Sequence, residues 1–115
     1  MRKLVWLTLL AATTVFAGET KRMPQFENQK VKVWETVIYP TSNQMLTMHR
    51  HEHDRVLVAF DNGVLEITND KGVTHKLILQ KGRGYYLKKD IASEMHTDKN
   101  ISSSPIKVLV IELKQ

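Results

Sequence analysis

Between Val31 and Leu113 no stretch of the chain sustains a helical period. Apolar residues recur at every second position or in short continuous runs, and turn residues cut these runs at regular intervals. That pattern predicts strands over Val31–Tyr39, Met45–His51, Arg55–Phe60, Val64–Thr68, Val73–Leu79, Tyr85–Leu87, Ala92–His96 and Ile106–Leu113. Asp61-Asn62-Gly63 reads as a tight hairpin, because Asn and Gly accept positive φ, and Asn69-Asp70-Lys71-Gly72 reads as a second turn. Lys81-Gly82-Arg83-Gly84 lacks both the spacing of a phosphate-binding loop and a following helical pattern, so it reads as a further turn. Asp98-Lys99-Asn100 is expected to turn as well. Short, evenly spaced strands of this kind fold as a β-sandwich or a small barrel. The fold class is all-β.

The 115 residues suit one domain, large enough to bury a core without staples. There is no cysteine, which excludes disulfides, thiolate metal sites and cysteine nucleophiles. The net charge of +5 is spread among interleaved acidic residues, and no basic stripe suggests a nucleic-acid partner. Lys21-Arg22 and Lys88-Lys89 are expected on solvated surface.

Residues 1–17 have the three parts of a secretory signal. Arg2-Lys3 is followed by the apolar run Leu4–Phe16, and Val15-Phe16-Ala17 precedes a cut before Gly18. The run is too short to span a bilayer comfortably, so no stable membrane anchor is expected and the mature protein is expected to be periplasmic or secreted. Residues 18–30 read as a polar arm, with Phe26 packed on the domain formed by residues 31–115.

Chemistry concentrates in Met48-His49-Arg50-His51-Glu52-His53-Asp54-Arg55. Alternate residues of a strand share a face, so His49 and His51 lie about 6.6 Å apart at Cα and can reach one metal ion. His49 and His53 would lie about 13 Å apart in a straight strand, too far for one ion. A further segment, His96-Thr97-Asp98-Lys99-Asn100, offers another imidazole.

Together these segments resemble the cupin superfamily of small jelly-roll barrels. His49 and His51 match the histidine pair of its first motif, and Gly63 matches that motif's glycine. Gly82 or Gly84, His96 and Asn100 match the second. The resemblance covers residues 31–115 and implies a cupin-type jelly-roll barrel with a divalent transition metal held by His49, His51 and His96. Zinc, manganese, iron, nickel and copper all accept such ligands. The three ring nitrogens would then converge within roughly 3–4 Å of one another. The chain departs from the motif where a glutamate ligand is expected, seven residues before Gly63, because Val56 stands there beside the cationic Arg55. His53, Asp54 and Glu112 are the possible substitutes. Leu109, Ile111 and Leu113 form the better core stripe of the last strand, which turns Glu112 outward by default.

The expected function is binding of a small polar molecule through a histidine-held metal, the reaction being unspecified. Arg55, Tyr86 and Asn100 are candidate ligand-binding residues, and Arg55 would suit an anion. Glu94 is a weak candidate base, sharing strand parity with His96. One alternative is a metal-free binding or sensing module, and another is a periplasmic protein that binds copper or nickel. His75 reads as a rim or packing residue, and Met45, Met48 and Met95 as core. A homodimer is the default assembly for a jelly roll.

Overall fold

The computed structural model describes residues 21–40, 49–91 and 94–114. Its strands are β1 (Lys21–Glu27), β2 (Val31–Ile38), β3 (Arg55–Ala59), β4 (Gly63–Asn69), β5 (Thr74–Leu79), β6 (Gly84–Leu87), β7 (His96–Asn100) and β8 (Ile106–Leu113). They form a five-stranded sheet in the order β1-β2-β8-β3-β6 and a three-stranded sheet in the order β5-β4-β7. Every pairing is antiparallel. The described residues include no helix.

The core follows from strand alternation and register. Trp34, Thr36 and Ile38 of β2 stand opposite Val110, Val108 and Ile106 of β8. Across the other edge of β8, Leu57 and Ala59 of β3 pair with Val110 and Val108. All eight side chains are buried, and Leu65 and Leu79 close the row from the smaller sheet. β8 therefore turns Ile106, Val108, Val110 and Glu112 inward, the opposite face from the leucine-rich stripe favoured by the sequence. Leu109, Ile111 and Leu113 are only half-buried.

Four local expectations need correction. Residues 21–27, read as part of a polar arm, pair along β2 as an edge strand, where Pro24 is tolerated because one side needs no N–H donor. Phe26 is 58% exposed and does not pack on the barrel. The Asp61–Gly63 segment is no hairpin, since β3 and β4 lie in different sheets. Positive φ occurs instead at Gly72 and Gly82, and Gly63 is needed because a Cβ there would overlap the side chain of the fully buried Ile106. Lastly, of the strand expected over Ala92–His96, Ala92 and Ser93 lie outside the described residues and Glu94 and Met95 are irregular; β7 runs His96–Asn100, so Asp98 and Asn100 belong to a strand and not to a turn. Residues 1–17 and most of Met45–His51 lie outside the described residues; His49 makes an isolated bridge and 50–54 run irregularly.

Candidate metal centre

His49 and His96 are brought together by the backbone. Each N–H donates to the other's carbonyl, at 2.9 and 2.7 Å, in an antiparallel bridge at the head of β7. The neighbouring loop is tied down by a second reciprocal pair. Asp90 donates its N–H to the His51 carbonyl at 2.8 Å, and Oδ2 of Asp90 accepts the His51 N–H at 2.5 Å. Arg50 Nη1 adds a bond to the Ile91 carbonyl at 3.3 Å. These ties place the rings of His49, His51 and His96 with centroids 4.6–5.3 Å apart.

One ligand nitrogen from each of the three histidines lies within 4.8 Å of the others, a set that can hold a metal ion. Ligands about 2.1 Å from one ion stand roughly 3–4 Å apart. The donor set suits a borderline divalent ion, imidazole being a ligand for zinc, copper, iron and nickel. Asp90 Oδ2 lies 3.3 Å from Nδ1 of His96. A carboxylate on Nδ1 fixes that nitrogen as the donor and directs Nε2 toward a metal, as in many histidine sites. Burial, reinforced by Arg55 and the neighbouring imidazoles, pushes the His51 pKa down to about 3, which leaves this ring neutral at pH 7.

Asp98 is a further residue of the site, hidden in the sequence by the turn chemistry of Asp98-Lys99-Asn100. As part of β7 it shares the face of His96, two residues away, and stands 3.5 Å from His49 Nε2 and 3.6 Å from His96 Nε2. Burial would raise its pKa, but the adjacent His49, His96 and His51 imidazoles outweigh burial and hold it below the usual carboxylate range.

The remaining candidates fall elsewhere. His53 Nδ1 and Glu112 Oε2 face each other at 3.6 Å, so these two pair together and not with the cluster. Asp54 accepts the Tyr86 hydroxyl at 2.7 Å and the Lys89 N–H at 2.8 Å, on the outer surface. Tyr86 is 57% exposed; it is absent from the cavity lined by His49 and His51 but borders an outer hollow with Arg55, Glu94 and His96. Asn100 is buried and spends both ends of its amide on the fold: Nδ2 donates to the Ile38 and Ser104 carbonyls and Oδ1 accepts the Ser102 N–H. Glu94 precedes β7, so its supposed parity with His96 does not hold, and its carboxylate accepts Asn69 Nδ2 at 2.9 Å. His75 and Met95 are exposed.

Arg55 is turned inward. It stands opposite Glu112 on β8, shares the face of Leu57, and lines a cavity of about 330 Å³ together with His49, His51 and Asp98. Trp34, Leu65, Leu87 and Val110 supply apolar wall. Burial lowers the Arg55 pKa, while Asp90, Asp98 and Glu112 oppose the shift. A second cation comes from the edge strand: the Arg22 guanidinium sits 4.3 Å over the Trp34 ring and lines the same cavity. Arg22 is exposed, as expected of Lys21-Arg22, and the pairing of β1 with β2 also sets it over Trp34.

A scan against protein-family models and a search of curated proteins find no match. Solved structures do match. A cupin domain from Bordetella pertussis superposes with a TM-score of 0.71 at 24% identity, covering 89% of this chain and 100% of that one. An RmlC-like cupin family protein with a double-stranded β-helix fold, from Methanocaldococcus jannaschii, gives 0.61 at 14% identity over 89% and 86%. The cupin domain of Schizosaccharomyces pombe Cnp3 gives 0.61 at 12% identity over 89% and 66%. The chain has the cupin fold, the double-stranded β-helix. Its own version of that fold carries a His49, His51 and His96 cluster that can hold a metal.

Proposed function

We propose that the protein is an exported cupin that binds one divalent transition metal through His49, His51 and His96 and takes up a small polar molecule in the adjoining cavity. The observation that carries this reading is the convergence of three imidazole nitrogens within 4.8 Å, one of them backed by Asp90. A bound divalent ion would supply Lewis-acid polarisation or oxygen chemistry. The chain's own residues do the rest. Arg55 offers a half-buried guanidinium to a carboxylate or similar anion, and the apolar walls keep water from the ligand's body. The signal-like residues 1–17 support export, and protein recovered from the native envelope is expected to begin at Gly18.

Calorimetric titration of metal-free protein with Zn²⁺ tests the metal reading: one site per chain is expected, and no binding would refute it. Screening the loaded protein against small carboxylates and their neutral amides tests the ligand. Carboxylates are expected to bind and to lose at least about tenfold on Arg55→Gln, the scale of a charge-assisted hydrogen bond.

A second reading, a metal-free binding or sensing module, is favoured by one observation. Arg55 lines the same cavity as His49 and His51, so its guanidinium opposes a cation placed there. A metal-free chain that binds the carboxylates as tightly as the loaded one would favour this reading. Preference for Cu⁺ or Ni²⁺ over Zn²⁺ would instead favour a periplasmic copper- or nickel-binding protein.

A further inference from the structure

The family's acidic ligand belongs to the first motif, where this chain has Val56. The substitutes lie elsewhere: Glu52 is exposed beside Arg50, Asp54 is engaged with Tyr86 and Lys89, and Glu112 of β8 faces His53. A different carboxylate stands against the cluster. We propose that Asp98, on the strand of the second motif, is the fourth metal ligand, giving a set of three histidines and one aspartate. This rests on the three-histidine reading and extends it to a residue that the family's motifs do not specify.

Three observations carry the assignment. First, position: β7 runs His96, Asp98, Asn100 along its inner face, so the carboxylate is delivered by the same rigid strand as one of the imidazoles. Second, distance: the two oxygens are divided between two rings, Oδ2 lying 3.5 Å from His49 Nε2 and Oδ1 3.6 Å from His96 Nε2. Both separations are long for hydrogen bonds, which centre near about 2.9 Å. Two ligands about 2.1 Å from one ion lie about 3.4 Å apart, so each oxygen stands at about ligand spacing from one of the two rings. Third, orientation: His96 turns Nδ1 to Asp90 and Nε2 to Asp98, so the nitrogen left for coordination is the one that faces this carboxylate.

The charges agree with the geometry. The Asp98 side chain is 17% exposed, and among the described residues its ion-pair partners are imidazoles, with no lysine or arginine within 4 Å. A half-buried carboxylate set against three imidazoles is a suitable counter-charge for a dication.

Co²⁺ serves as the probe, because its absorption reports the ligand set directly. Metal-free wild type, Asp98→Asn and Asp98→Ala are titrated with Co²⁺ in competition with a chelator, and thermal melts identify folded variants. Wild type is expected to bind one Co²⁺. Asp98→Ala is expected to lose more than about a hundredfold in affinity, beyond the ten- to hundredfold that loss of an outer partner costs. Its visible bands should also shift in position and intensity, which an outer partner would not cause. Asp98→Asn, which keeps the shape and a weak oxygen donor, should fall between the two. Unchanged Co²⁺ bands in both variants, with losses under about tenfold, would overturn the assignment and leave the three-histidine site standing. Failure of wild type to bind Co²⁺ would overturn both.

Discussion

Oδ2 of Asp90 lies 3.3 Å from Nδ1 of His96 and accepts the backbone N–H of His51 at 2.5 Å. One carboxylate oxygen thus sets the ring orientation of a histidine from the second motif and the loop path of a histidine from the first. Neutralising it weakens both ties. Asp90→Asn is expected to lower metal affinity by about ten- to a hundredfold while leaving the stoichiometry at one, as loss of an outer carboxylate does in other histidine sites. Chelator competition measures this, and an unchanged affinity would mean that Asp90 serves the loop alone.

Acid should destabilise the metal-free protein in a defined window. His51 titrates near 6.5 in the unfolded chain and near 3 in the fold. Between those values the unfolded chain binds a proton that the folded one does not, so stability is fully present above pH 6.5 and is lost as pH falls toward 3. Asp98, held below its ordinary range, adds a further loss at the acidic end. Urea midpoints should therefore fall between pH 7.5 and 4.5, and His51→Gln should flatten the slope. A midpoint equal or higher at pH 4.5 would contradict the burial of a neutral imidazole.

Gly63 and Gly84 separate two reasons for a glycine. A Cβ at Gly63 would overlap Ile106, which is fully buried and cannot swing aside, whereas a Cβ at Gly84 meets nothing within 4 Å. Gly63→Ala should cost about 1–3 kcal/mol, the scale of overpacking a core. Gly84→Ala should stay within about 0.5 kcal/mol of wild type. Denaturant unfolding of both variants decides it, and equal effects would remove the steric reason for Gly63.

The all-β class, most strand positions and the histidine cluster were legible because alternation and motif spacing are local signals. Local patterns did not say which sheet a strand joins. That is why Asp61–Gly63 looked like a hairpin when β3 and β4 part into different sheets. Face assignment failed on β8 for a related reason: Leu109, Ile111 and Leu113 outweigh Ile106, Val108 and Val110 in apolar volume, yet the register with β2 and β3 buries the latter. The same register turns Arg55 inward. Asp98 was hidden because Asp-Lys-Asn has turn chemistry, and only pairing with Leu65, Glu66 and Ile67 of β4 makes 98–100 a strand. Asn100 carried a motif match but no ligand role: its amide joins Ile38, Ser102 and Ser104, and it holds the barrel closed.

The most direct measurement is elemental analysis of tag-free protein after loading with a divalent transition metal and dialysis. Wild type should retain one ion per chain, His96→Ala should retain none, and His75→Ala, outside the cluster, should match wild type. Wild type emerging without metal, or His96→Ala retaining a full equivalent, would contradict a metal centre at His49, His51 and His96.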